Sequence, residues 1–199
     1  VQAYLEPIRR TISCITQAKV KAYTPPSGLS PQRARDEVFP LVLADGEPVS
    51  LKARSGSPRF AFSMRQQYKL EHHPDDPNRG PWKVVTLDYE YAVYTDTRDG
   101  AKELVTYHFH PSSKMSRVKR PHLHLRSAAG VMPVLEAGHY PTGRVALEEV
   151  VWMLLDDRDN QFGVQPLRRN WRAVLQEGLD AFERWRTWPT GGAPSHPLT

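Results

Sequence analysis

The 199-residue sequence has one cysteine, Cys14, which excludes an internal disulfide framework and a cysteine-based zinc finger. It has no apolar run near the ~20 residues that span a bilayer, and no apolar signal-peptide core near its N-terminus. It also lacks a Gly-rich phosphate loop and a CxxC pair. We therefore expect a cytoplasmic protein without a membrane partner, in which Cys14 is chemically inert.

Acidic residues are missing from one long segment. The chain carries 27 Lys and Arg against 22 Asp and Glu, a net charge of +5. Between Leu104 and Leu135 there is no Asp or Glu, and the basic residues present there account for the whole excess. Such a segment favours RNA or another anionic substrate. Its basic residues, predicted to bind that substrate, are Lys114, Arg117, Lys119, Arg120 and Arg126.

Three regions follow from the residue patterns. Residues 1–56 are predicted to form an extension of a helix, a linker and a hairpin, with Asp45-Gly46 at the hairpin turn. Residues 57–188 are predicted to form the core, and residues 189–199, rich in Gly and Pro, a flexible tail. The apolar stripe of the N-terminal helix has no partner in the sequence pattern, so we expect it to dock a second copy of the chain or another protein.

The core region alternates apolar and polar residues between Phe60 and Arg126, which predicts antiparallel strands with one apolar and one polar face. Helical periodicity follows, first near Leu147 to Leu155 and then from Trp171 to Trp185. The predicted fold is therefore α+β, an antiparallel meander whose apolar face is covered by the C-terminal helices. Glu148 and Glu149, together with Asp156 and Asp157, are expected to be solvated helix positions.

Two His-x-His segments are the most informative feature of the sequence. His108 and His110 lie on one predicted strand, and His122 and His124 on the next. Because residues two apart in a strand point the same way, all four imidazoles are predicted to share the polar face. Asp88 and Glu90 have the same parity on the preceding strand.

Two chemistries use such a cluster, and an ordinary polar sheet face is the alternative to both. In the first, His108 and His122 act as general acid and base and cleave RNA without metal or cofactor, with the cations neutralising phosphate. In the second, the histidines with Asp88 or Glu90 bind a divalent transition metal. A non-enzymatic module that binds nucleic acid or protein is a third hypothesis.

A second candidate segment is Gly138-His-Tyr-Pro-Thr-Gly-Arg144, directly before a predicted helix. Free N–H groups at a helix N-terminus bind anions, and His139 and Arg144 would add donors. We predict that these two side chains clamp a phosphate close to the histidine cluster.

The ordered motifs Tyr-His-Phe-His-Pro, Pro-His-Leu-His-Leu and Pro-Thr-Gly-Arg-Val resemble those of uncharacterised bacterial proteins. They are more distantly similar to the TumE-like toxin family, over residues 82–155. That resemblance implies a toxin-like ribonuclease paired with a neutralising antitoxin. Our leading prediction is accordingly an RNA-directed, metal-independent endoribonuclease whose catalytic residues come from His108, His110, His122 and His124.

Overall fold

The computed structural model describes residues 1–23, 37–72, 82–95, 100–111, 118–126, 138–156 and 162–185. These residues form one antiparallel sheet of eight strands and three helices, which confirms the α+β prediction. The helices are α1 (Gln2–Ile12), α2 (Leu147–Leu155) and α3 (Trp171–Trp185). The strands are β1 (Val20–Ala22), β2 (Phe39–Leu43), β3 (Val49–Ser50), β4 (Phe60–His72), β5 (Trp82–Thr95), β6 (Glu103–Phe109), β7 (His122–Leu125) and β8 (Tyr140–Pro141). No helix among these residues is long and apolar enough to cross a bilayer.

The sheet runs in the order β1-β2-β4-β5-β6-β7-β8, and β3 also pairs with β4. Strands β4 to β8 are each hydrogen-bonded to the next along the chain, as a meander requires. Strands β1 and β2 extend the same sheet beyond β4. Residues from the predicted N-terminal extension therefore share one sheet with the core region.

The three helices pack together on one face of the sheet and close a single hydrophobic core. Tyr107 of β6 contacts Met153 of α2, and the ring of Tyr68 on β4 lies against Tyr4 of α1. The apolar stripe of α1, which includes Leu5 and Ile12, is buried in this core. The stripe from which we expected docking of a second copy is thus covered by the chain's own residues.

Helix α1 ends at Ile12, whereas the apolar spacing of the sequence favours one helix from Ala3 to Val20. Ser13 is its C-cap, and its hydroxyl donates to the Arg10 carbonyl. Cys14 and Ile15 are buried just beyond the helix. Their burial in a turn explains why the apolar spacing continued without further helix.

The predicted hairpin between residues 41 and 51 is wrong, although its turn is located correctly. Asp45 and Gly46 both have positive φ, as Asp-Gly predicted. The flanking strands do not pair with each other, because each pairs with a different part of β4: β2 with residues 65–68 and β3 with residues 61–62. The turn therefore carries the chain along one edge of β4.

A bulge in β5 changes which residues share a face. Gln67 is opposite Asp88 and Tyr68 is opposite Thr86, so Leu87 has no partner in the register. The extra residue reverses the alternation. Thr86 consequently lies on the helix-covered face, where its hydroxyl is 3.4 Å from that of Tyr4. Uninterrupted alternation would place Thr86 on the same face as Asp88 and Glu90.

Several predictions lie outside the described residues. They include most of a short helix that Ser30-Pro31 favours toward Val38, most of a polar loop from His72 to Pro81, most of a turn at residues 96–100 and the whole tail at residues 189–199.

Candidate metal centre

The polar face of β6 and β7 carries the four histidines of the two His-x-His segments, as the alternation predicted. His108 is directly opposite His122 in the register, and Thr106 is opposite His124. His110 follows the end of β6. A fifth histidine, His139, lies just before β8, which pairs with β7 and so brings this residue to the same cluster.

The five imidazole rings form a continuous cluster. The centroid of His108 is 5.6 Å from that of His122 and 4.9 Å from that of His124. His139 is 4.4 Å from His124 and 5.0 Å from His122. The cluster is partly sheltered, because His122 is 1% exposed and His124 is 7% exposed, while His139 is exposed.

One ring nitrogen of His122 is hydrogen-bonded to the backbone. Its Nδ1 lies 2.9 Å from the backbone carbonyl oxygen of Arg120. Since a carbonyl can only accept, Nδ1 carries the proton and the lone pair resides on Nε2. A backbone carbonyl that fixes the tautomer of an imidazole in this way is typical of the support behind metal-ligating histidines.

In His124, by contrast, one ring nitrogen has no hydrogen-bond partner among the described residues. Its Nδ1 is buried and has no hydrogen-bond partner among the described residues, and the same is true of Thr106 Oγ1 across the strand pair. Buried polar atoms without a partner are costly, about 1–3 kcal/mol each, and are rare in folded proteins. Two of them on cross-strand neighbours indicate that a further group belongs at this position.

One ring nitrogen of each of His122, His124 and His139 lies close to those of the other two. The three ligand atoms lie within 4.8 Å of one another. A tetrahedral ion bound at ~2.0–2.1 Å would bring its ligands to roughly 3.4 Å separation, so small side-chain rotations would complete the site. Three imidazoles also leave a fourth tetrahedral position open to water.

The histidines are electrostatically suited to remain neutral. Burial, with a smaller contribution from the neighbouring histidines, lowers the pKa of His108 to about 3 and that of His124 to about 4. Burial also lowers the pKa of His110 and His122. Neutral imidazole is the form that binds metal, whereas a general acid must hold a proton.

The two predicted carboxylates differ in their relation to the cluster. Glu90 lies opposite His108 in the register, with 3.7 Å between its Oε2 and His108 Nδ1, and it also accepts from Arg65 at 3.1 Å. Asp88 lies on the same strand face two residues away, next to Arg65 and Glu90, and burial raises its pKa. Glu90 is therefore the carboxylate beside the imidazoles.

The predicted cations divide into three groups. The charges of Lys119 and Arg126 lower the pKa of nearby histidines, which places both beside the cluster. Arg120 is exposed and contributes its backbone carbonyl, while Arg126 also contacts Glu103 at 3.4 Å. Lys114 and Arg117 lie outside the described residues.

The predicted clamp of His139 and Arg144 does not form. His139 joins the imidazole cluster, whereas the guanidinium of Arg144 lies over the ring of Phe182 on α3, on the other face of the sheet. Helix α2 begins three residues after Arg144, and the Glu149 carboxylate accepts the Ala146 N–H at 2.6 Å. That carboxylate occupies the position at the helix N-terminus that we predicted for phosphate.

Two acidic residues that we expected to be solvated are buried. Glu148 is 5% exposed and accepts a hydrogen bond from the Thr11 hydroxyl at 2.9 Å, and Asp156 is 3% exposed. Asp157 lies outside the described residues. Leu147 beside Glu148 and Val151 one turn later in α2 were the available signal, because both are apolar and share the buried side of a short helix that packs against two others.

Comparison with protein-family models, with curated proteins and with solved structures gives no match for this chain. The resemblance to TumE-like toxins is therefore carried by the sequence motifs alone, and functional inference depends on the geometry of the histidine cluster.

Proposed function

We propose that this chain is a His-ligated metalloenzyme in which His122, His124 and His139 hold one divalent transition ion. The observation that carries the proposal is the convergence of three histidine nitrogens to within 4.8 Å of one another, in a cluster where His124 Nδ1 is buried without a partner among the described residues. Ligands that are all imidazole suit Zn²⁺, and also Cu, Ni or Fe, better than Mg²⁺ or Ca²⁺. Zn²⁺ is the first ion to test.

The surroundings support a hydrolytic role. A divalent ion held by His122, His124 and His139 would supply activation of a water as nucleophile near neutral pH. Glu90 and His108 lie beside the trio as groups that could orient a water or take its proton. Lys119 and Arg126 favour an anionic substrate, and RNA is the substrate that the acid-free segment suggests testing first.

The metal-independent endoribonuclease is the second candidate, and the register favours it. His108 and His122 are direct cross-strand partners, with rings 14° from parallel. Against it, burial lowers the pKa of His108 to about 3, which disfavours His108 as a general acid at neutral pH, and burial lowers the pKa of His122 as well. The toxin role and the antitoxin partner implied by the resemblance belong to this candidate.

Metal binding by single variants tests the proposal. Protein purified without a His-tag is dialysed against chelator, then titrated with Zn²⁺ and with Co²⁺, whose visible spectrum reports tetrahedral coordination. We expect one ion per chain, and at least a tenfold loss of affinity in His122→Asn, His124→Asn and His139→Asn. His72→Asn is the matched control, because His72 lies against Trp82 outside the cluster.

The outcomes separate the candidates. No stoichiometric ion, or equal affinity in the three variants and the control, overturns the metal centre. RNA cleavage that persists in EDTA and is lost in His108→Ala and His122→Ala supports the metal-independent enzyme instead. Salt-dependent RNA binding without cleavage, unaffected by any histidine variant, identifies a binding module.

A further inference from the structure

A cavity of about 320 Å³ lies between the sheet and helices α1 and α3, on the face opposite the histidine cluster. Tyr89 and Tyr91 of β5 point into it, whereas Glu90 between them points toward His108. The volume is within the range of small-molecule sites, and such sites combine apolar walls with a few convergent polar groups. No residue of the proposed metal centre lines this cavity.

The floor of the cavity presents two phenol hydroxyls side by side. The rings of Tyr89 and Tyr91 stack with centroids 4.8 Å apart and planes 12° from parallel, and both residues are almost fully buried. The oxygen of Tyr89 accepts from the Val145 N–H, and that of Tyr91 accepts from the Gln66 amide. Neither O–H hydrogen has an acceptor among the described residues, so both are available to a ligand.

These phenols keep their hydrogens. Burial raises the pKa of Tyr89 to about 12 and raises that of Tyr91 well above 10. Two adjacent donors that cannot ionise near neutral pH select an acceptor, such as a carboxylate or a carbonyl oxygen.

Positive charge lines the same cavity. Arg144 and Lys83 both border it, and the charge of Arg144 reaches the phenols of Tyr89 and Tyr91. Glu148 is the carboxyl among the described lining residues; it accepts a hydrogen bond from Thr11, and burial raises its pKa. The cavity is therefore lined by two basic side chains and one carboxyl whose negative charge is disfavoured by burial.

The remaining walls are apolar and aromatic. Ile8 and Pro7 of α1, Phe182 and Ala181 of α3, and Trp82 of β5 enclose the space beside the phenols. We propose that this cavity binds a small organic acid, with its carboxylate at Tyr89, Tyr91 and Arg144 and a compact apolar body against the two helices.

Three probes of one shape test the charge preference. These are 3-phenylpropanoate, its neutral amide and 3-phenylpropylamine, with octanoate as a second acid; binding is measured by calorimetry and by the rise in Tm. We expect an acid to bind at least tenfold more tightly than the amide or the amine. If the amide binds as tightly as the acid, the proposed preference for an anion is wrong. If the amine binds more tightly than the acid, the cavity prefers a cation. If neither 3-phenylpropanoate nor octanoate binds, the proposed acid site is wrong.

Variants locate the binding. Ala181→Leu fills the cavity, and Ala173→Leu makes the same change at an exposed position of α3. Tyr89→Phe removes one donor without changing the ring. We expect Ala181→Leu to abolish acid binding, Tyr89→Phe and Arg144→Gln to weaken it about tenfold, and Ala173→Leu to leave it unchanged. Acid binding in Ala181→Leu equal to that in Ala173→Leu would overturn the proposal.

The proposed metal centre and the proposed acid site can be tested independently of each other. His139→Asn lies on the opposite face of the sheet, so we expect it to leave acid binding unchanged whatever it does to metal binding. Loss of acid binding in this variant would contradict the assignment of the acid to the cavity.

Discussion

The Nδ1–H of His122 donates a hydrogen bond to the backbone carbonyl of Arg120, with 2.9 Å between the two atoms. The contact fixes the tautomer of one imidazole in the histidine cluster before any ion is present. Nitrogen NMR of the metal-free protein should therefore show His122 with a protonated Nδ1 and an unprotonated Nε2. Adding Zn²⁺ should change the Nε2 resonance most. The reverse tautomer in the metal-free protein would contradict this assignment.

The metal-free protein should lose stability as the pH falls. Burial lowers the pKa of His108 to about 3 and of His124 to about 4, below the ~6.5 of an unfolded chain. Between these values the unfolded state binds protons that the folded state does not, so stability rises with pH and is lost on acidification. Each such histidine contributes a slope of up to ~1.4 kcal/mol per pH unit.

Urea unfolding at pH 7.5, 6 and 5 measures that slope. His108→Asn should unfold with a shallower pH dependence than the wild-type protein, because one neutral buried imidazole has been removed. An unchanged slope would show that His108 titrates alike in both states. His72→Asn, outside the cluster, is the control.

Glu148→Gln should stabilise the protein near neutral pH. Burial raises the pKa of this carboxyl above its usual 4.5, so its contribution to stability is complete below that value and is lost as the pH rises through the raised folded pKa. Glutamine keeps an oxygen that accepts from the Thr11 hydroxyl and removes the buried charge. Thermal unfolding at pH 4 and pH 8 should show the gain at pH 8 only. A variant less stable than wild type at pH 8 would contradict it.

Gly178→Ala should destabilise the protein despite the higher helix propensity of alanine. A Cβ at Gly178 would lie 2.7 Å from both Cγ and Oε1 of Glu148, which is itself confined by Thr11. In Gly178→Ala/Glu148→Ala the contact is absent, and the propensity gain of ~1 kcal/mol should then appear relative to Glu148→Ala alone. The sign of the glycine substitution should therefore change between the two backgrounds, as measured by urea unfolding.

Cys14 should resist alkylation in the native protein. It is fully buried, and burial raises the pKa of its thiol to about 11, so little thiolate is present at pH 8. Iodoacetamide should label Cys14 rapidly in 6 M guanidinium chloride and only slowly without it. Equal rates in the two conditions would show that the core around α1 opens readily.

Much of the sheet could be predicted from side-chain alternation alone. Strands β4 to β7 and the shared face of His108, His110, His122 and His124 follow from a period of two, because successive side chains of a strand point to opposite faces of the sheet. The covering helices α2 and α3 follow from their apolar spacing. These features are local in sequence, or join segments separated by one turn.

Features set by pairing over longer distances could not be predicted in this way. His139 joins the cluster only because β8 pairs with β7, and two residues of strand have no recognisable periodicity. The hairpin prediction was wrong for the same reason, because β2 and β3 both pair with the more distant β4 and not with each other. The burial of Glu148 depends on Thr11 and Gly178, which come from the two ends of the chain.

The unpaired Leu87 determines how a homologous sequence should be aligned with β5. Between Trp82 and Thr86, the side chains of β5 alternate between the two faces in the opposite phase to those from Asp88 to Tyr91. A homologous strand without this residue could be aligned to β5 with no gap. The residues aligned with Trp82 to Thr86 would then be assigned to the wrong face of the sheet. Alignments should therefore place a single-residue gap at this point, and homology arguments about the cavity should start from Asp88 onward.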